Sequence, residues 1–180
     1  MTWIDDVLRF WFSELGDADW FAVNPAVDET IRNRFGALYQ AMKAAPPDVS
    51  TLDARGHLAA VIVFDQFPRN LFRRTAAAFA TDALALALAR DAVDQGLDAG
   101  MNQAERQFLY MPFMHSEVSA DHVRSLALFE TLDIPDAVGS ARQHKAVIDR
   151  FGRFPYRNQA LGRVTTPEEA AFLATKPSWP

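Results

Sequence analysis

Seven consecutive apolar residues, Leu58-Ala59-Ala60-Val61-Ile62-Val63-Phe64, constrain this chain more than any other stretch. A surface helix keeps a polar face and a half-exposed strand alternates, so a run that is apolar all round has to be covered all round. Composition alone leaves a buried strand open. The flanking Ala, Leu and His positions carry the pattern past ordinary strand length, and residues 51–67 are read as a central helix that Pro68 ends.

The coat around it also reads as helical. Residues 3–15 place Trp3, Val7, Phe10 and Trp11 on one stripe. Pro25 opens a helix to about Ala44 with Val27, Ile31, Phe35, Leu38 and Met42 as its apolar face, and Pro46-Pro47 stops it. Ala76 to Gly96 is rich in Ala and Leu, with Thr75 or Thr81 as the cap, and Asn102 to Met111 continues helically until Pro112. Ser119 to Leu132 carries Val123, Leu126, Leu128 and Phe129; Pro135 to Phe151 carries Ala137, Ala141, His144, Ile148 and Phe151. The last helix opens with Thr166 as cap, then Pro167 and Glu169, and is anchored by Phe172 and Leu173. No alternating run is left for a sheet. The expectation is one all-α domain over residues 1–180, with about seven or eight helices paired as antiparallel hairpins.

Composition narrows the chemistry. The absence of Cys excludes disulfides, iron–sulfur clusters, thiolate zinc sites and a cysteine nucleophile. Met1 to Asp6 lack the basic and apolar parts of a signal peptide, and no stretch offers the roughly 20 apolar residues of a membrane span. A soluble, cytoplasmic domain is expected. Arg supplies 15 of the 18 basic residues, and Phe supplies 14 of the aromatics. That bias suits guanidinium groups held in planar, partly buried pairs, or else reflects a GC-rich genome. The net charge of -5 divides into +5 over residues 142–163 and -10 elsewhere.

The most informative motif is an echo. Phe64-Asp65-Gln66-Phe67-Pro68-Arg69-Asn70 returns as Phe151-Gly152-Arg153-Phe154-Pro155-Tyr156-Arg157-Asn158, one residue longer. Each reads as a helix end, with two Phe facing the core, a Pro, an Arg able to bond orphan carbonyls and an Asn suited to the turn. Either these are two Arg-capped corners, or they meet around an anionic ligand. Asp65 follows a wholly apolar run and needs a buried partner, most simply Arg69, Arg153 or Arg157.

A second candidate is Tyr110-Met111-Pro112-Phe113-Met114-His115-Ser116-Glu117. His115 two residues from Glu117 is a possible acid–base pair; the alternative is a core histidine beside a carboxylate that pairs with Arg. His144 lies on the apolar stripe of its helix and reads as a satisfied core histidine. No standard metal spacing, nucleophile elbow, Walker loop or dinucleotide fingerprint is present, so neither a metal nor a cofactor is expected.

These motifs, with Val7-Leu8-Arg9-Phe10-Trp11-Phe12, Phe108-Leu109-Tyr110, Asn158-Gln159-Ala160-Leu161-Gly162-Arg163 and Thr166-Pro167-Glu168-Glu169, resemble the bacterial domain-of-unknown-function family 924 over nearly the whole chain. Val118 stands where that family suggests a second acidic residue, and Tyr156 where His is frequent. The resemblance implies stacked helical hairpins of tetratricopeptide type, which leave a concave binding face. It implies no activity, cofactor or catalytic residue. No 34-residue repeat is evident in the sequence itself.

Three functions compete. The first is a helical binding module whose Arg-rich groove, with Asp65, Arg69, Asn70, His144, Arg153, Arg157 and Asn158, takes an acidic peptide, a protein or a small anion. The second is a small enzyme acting on an anionic substrate, with His115 as acid–base and Glu117 or Asp65 orienting it. The third is nucleic-acid binding through the basic segment, which the overall acidity disfavours. Oligomeric state is not readable from the sequence, though Trp3, Trp11, Trp20 and Trp179 are candidates for an interface.

Overall fold

Every residue from Leu58 to Phe64 is at most 1% exposed in the computed structural model, which describes residues 2–175. The most apolar run of the sequence is thus enclosed on all sides, and the other helices are arranged to enclose it. Among the described residues there is no strand.

Helix α1 (Trp3–Arg9) starts at a capping box between Thr2 and Asp5, and its end widens into a π turn, Phe10–Glu14. A single turn, α2 (Asp17–Trp20), precedes α3 (Pro25–Ala44), which Asn24 caps at the Ala26 amide. Helix α4 (Ala54–Val61), capped by Asp53, passes through a second π turn, Ile62–Gln66, into α5 (Phe67–Leu71). Then follow α6 (Asp82–Asp94), α7 (Gln103–His115), α8 (Ser119–Phe129), α9 (Pro135–Phe151) and α10 (Pro167–Thr175). With α4 and α5 counted as one interrupted helix there are nine among the described residues, the short α2 being the one the periodicity does not announce.

Helix α4 packs against α1, α6 and α7, while α6 lies against α7, α7 against α8 and α8 against α9. The main core includes an aromatic cluster in which Phe67 touches Phe10, Trp11 and Phe35, and Trp11 meets Phe108 edge-on. A second, smaller core joins Val147, Ile148 and Phe154 with Phe151, Tyr156 and Phe172.

Several sequence expectations change. Pro68 does not end its helix: it sits in the first turn of α5. A residue at 68 with an N–H would bond the Phe64 carbonyl, and the Thr81 hydroxyl donates to that carbonyl instead, at 2.6 Å. Thr81 therefore precedes α6 without capping it, and Ala76–Phe79 is a separate 3-10 turn. Nor does Pro112 stop α7, which runs on to His115 because Phe113 and Met114 are buried beyond it. In α3 the core member is Tyr39 rather than Leu38. Trp11 is 2% exposed and belongs to the core, not to an interface, and Trp179 lies outside the described residues.

Candidate functional site

The π turn after α4 brings Asp65 inward, where its side chain has no solvent exposure. Its Oδ1 accepts from His115 Nδ1 at 2.8 Å and lies 3.3 Å from Arg69 Nη1; its Oδ2 accepts from Gln66 Nε2 at 2.5 Å. Because a carboxylate only accepts, His115 carries its proton on Nδ1 and turns the Nε2 lone pair away from Asp65. Nε2 has no hydrogen-bond partner among the described residues, and the His115 side chain keeps 13% of its exposure.

The two echoed corners do meet, and the anion between them is the protein's own. Arg69 forks onto Asp82 at 3.0 and 3.2 Å, and Arg157 reaches the same carboxylate at 3.2 Å. Arg157 also donates to the His115 carbonyl at 2.9 Å, the kind of orphan acceptor left at a helix C-terminus. Its guanidinium lies between the Phe79 and Phe154 rings, 4.6 and 4.7 Å from their centroids. Asp82 stands in the first turn of α6, where the helix dipole favours a negative charge.

Other expected members are placed elsewhere. Glu117 does not pair with His115: its carboxylate takes both arms of the Arg163 fork, at 2.8 and 2.7 Å, and the Phe154 amide at 2.8 Å. Arg153 does not reach Asp65, because it is spent on Glu169 at 2.7 and 2.9 Å, and Asn158 joins it there. Asn70 faces α3, where it bonds Asp28 beside the Arg73 fork. At both corners, then, the Asn and an Arg, Arg73 just after the first echo and Arg153 within the second, grip one carboxylate from another helix. His144 approaches the edge of the site, its ring 6.4 Å from that of His115, with its Nδ1 on the Ser140 carbonyl. Asp65, His115, Arg69 and Arg157 converge; Asn70, Glu117, Arg153 and Asn158 do not.

Burial by itself would raise the Asp65 carboxyl, but Arg69 and then His115 override it and hold the group at about 2. Burial lowers His115, and Arg69 lowers it further against the pull of Asp65, so the imidazole is neutral around pH 7. His144 is pushed down to about 3 by burial and by His115. Burial raises the Tyr156 phenol, keeping it protonated. The arrangement offers a neutral imidazole with a fixed tautomer beside two guanidinium groups. Among the described residues no cluster of His, Asp and Glu is arranged to hold a metal ion.

Sequence reasoning did not single out Asp82, Gln66 or Phe79. An acid in the first turn of a helix is ordinary capping chemistry, and only its position opposite Arg69 and Arg157 makes it part of a site.

Residues 7–177 match the family described as a bacterial protein of unknown function, DUF924. A solved structure of a protein of unknown function, ATU0120 from Agrobacterium tumefaciens, is 36% identical with a TM-score of 0.89, covering 96% of this chain and 97% of that one. No curated protein matches. Both echoed corners, the His115 turn and Asp82 fall inside the matched span, and the chain belongs to the DUF924 family of bacterial proteins.

Proposed function

We propose that the chain is a small enzyme acting on an anionic molecule, with His115 as its acid–base group, Asp65 orienting it, and Arg69 with Arg157 drawing the anion in. The observation that carries this reading is the 2.8 Å contact from His115 Nδ1 to a fully buried carboxylate, with Nε2 unpartnered and the residue partly exposed. A buried Asp that fixes tautomer and orientation is how imidazole is made an effective base. Of the two carboxylates expected to orient His115, Asp65 is within hydrogen-bond reach of it and Glu117 is paired with Arg163.

The reading as a groove for an acidic peptide has less support. The basic charges of residues 142–163 are matched one by one: Arg142 by Glu130, Lys145 by Asp149, Arg150 by Glu168, Arg153 by Glu169 and Arg163 by Glu117. Paired in this way they offer a peptide few donors, whereas Arg69, although it too is paired with Asp82, keeps its Nε–H without an acceptor among the described residues.

Diethyl pyrocarbonate, which acylates unprotonated imidazole, tests the proposal. His57 and His122 are fully buried, so His115 should be modified ahead of them in the folded chain. Inorganic phosphate should protect it, and Arg69→Gln should remove the protection while leaving the modification. An unreactive His115, or one that phosphate never protects, would sink the proposal.

A further inference from the structure

We infer that His115 Nε2 is a phosphoryl acceptor, taking the group from a small activated donor of the acyl phosphate or phosphoramidate class. This rests on the reading of His115 as the reactive group and adds its substrate class.

The nucleophile is chosen by elimination at the site. The chain has no thiol. The Ser116 hydroxyl is given to Asp121 and the Thr81 hydroxyl to the Phe64 carbonyl, at 2.6 Å each. Imidazole is the remaining nucleophile, with its Nε2 lone pair directed away from Asp65, which holds the opposite nitrogen.

The surroundings favour phosphoryl over acyl transfer. An acyl oxyanion is met by backbone N–H groups. His115 closes the C-terminal end of α7, where carbonyls rather than N–H groups are left over, and its own carbonyl is occupied by Arg157. What the site supplies is guanidinium, whose planar fork matches the charge spread over phosphoryl oxygens. Arg69 spends Nη1 and Nη2 on Asp65 and Asp82, leaves its Nε–H without an acceptor among the described residues, and is 21% exposed. Asp82, 19% exposed at the rim, is the internal anion whose place the phosphoryl oxygens take on that fork.

The step balances within these groups. The Nε2 lone pair attacks phosphorus in line and an N–P bond forms. The bond from phosphorus to the leaving oxygen or nitrogen breaks, and its electron pair goes to the leaving group, which departs as a carboxylate from an acyl phosphate or as the neutral amine from a phosphoramidate already protonated on nitrogen. The Nδ1 proton stays between His115 and Asp65, whose negative charge stabilises the imidazolium so formed.

The test incubates the full chain with phosphoramidate and, separately, with acetyl phosphate, and reads the product by mass spectrometry and phosphorus NMR. One phosphoryl group per chain is expected, stable in alkali, labile in acid and mapped to His115. Arg69→Gln should slow its formation roughly a hundredfold, and Asp82→Asn should speed it. No adduct on the folded wild-type chain, or an adduct mapped to another residue, overturns the inference. If phosphate still protects His115 from diethyl pyrocarbonate in that case, the acid–base reading survives alone; if protection is absent too, both fall.

Discussion

Asp65 illustrates how one residue can serve both stability and a site. An ionised carboxyl with no solvent exposure is tolerated because three donors converge on it. Asp65→Ala removes the acceptor and leaves Arg69 and His115 uncompensated, so unfolding in urea should show a loss of about 3–5 kcal/mol. The pH dependence has a definite sign. With a folded value of about 2 against an ordinary 3.8, the Asp65 contribution is complete above pH 3.8 and is lost as the pH falls toward 2. His144 acts earlier in an acid titration. It titrates near 6.5 when unfolded and at about 3 when folded, so between those values the unfolded chain binds the extra proton and stability drops as pH falls. His144→Gln should flatten that part of a stability-versus-pH curve without abolishing it, since His115 and His122 are also lowered. An unchanged slope would contradict this account.

At the scale of elements, the two proline-bearing helices show local rules being overridden by tertiary partners. Pro68 withholds a donor, and Thr81 from the segment before α6 replaces it at 2.6 Å. Thr81→Val leaves the Phe64 carbonyl buried without a partner, and should cost about 1–3 kcal/mol in equilibrium unfolding. Helix α10 shows the reverse case, a short element held by polar contacts. Its fully buried residue is Glu169, while the expected anchor Phe172 is half-buried against Phe151, their ring centroids 5.2 Å apart. Glu169 accepts from Arg153, Asn158 and the Thr166 amide, and Arg153 holds its carboxyl at about 2. Glu169→Gln weakens that fork, and amide exchange across residues 167–175 should accelerate while exchange in α4 stays unchanged. Equal acceleration in both would mean that α10 unfolds only with the whole molecule.

Across the whole molecule, the uneven charge of the sequence is largely cancelled in space. The +5 of residues 142–163 is met by Glu117, Glu130 and Asp82 from outside that segment and by Glu168 and Glu169 just after it. A single-stranded oligonucleotide should therefore show no retention at low salt; tight binding that falls steeply with salt would mean these pairs open to phosphate. The described helices are also too short or too polar to cross a membrane. The sequence by itself determined the all-helical class, the enclosed run at Leu58–Phe64, most helix starts and the need of Asp65 for a buried cation, because periodicity, capping and the cost of burying a charge act over a few residues. It also showed the two Phe-Pro-Arg-Asn corners to be alike. Only the tertiary structure decided that Arg69 and Arg157 share Asp82, that His115 faces Asp65 rather than Glu117, and that two prolines lie within helices. Each of those choices depends on which groups distant in sequence arrive at the same few ångströms, and pairing at that range is set by packing, to which local spacing is blind.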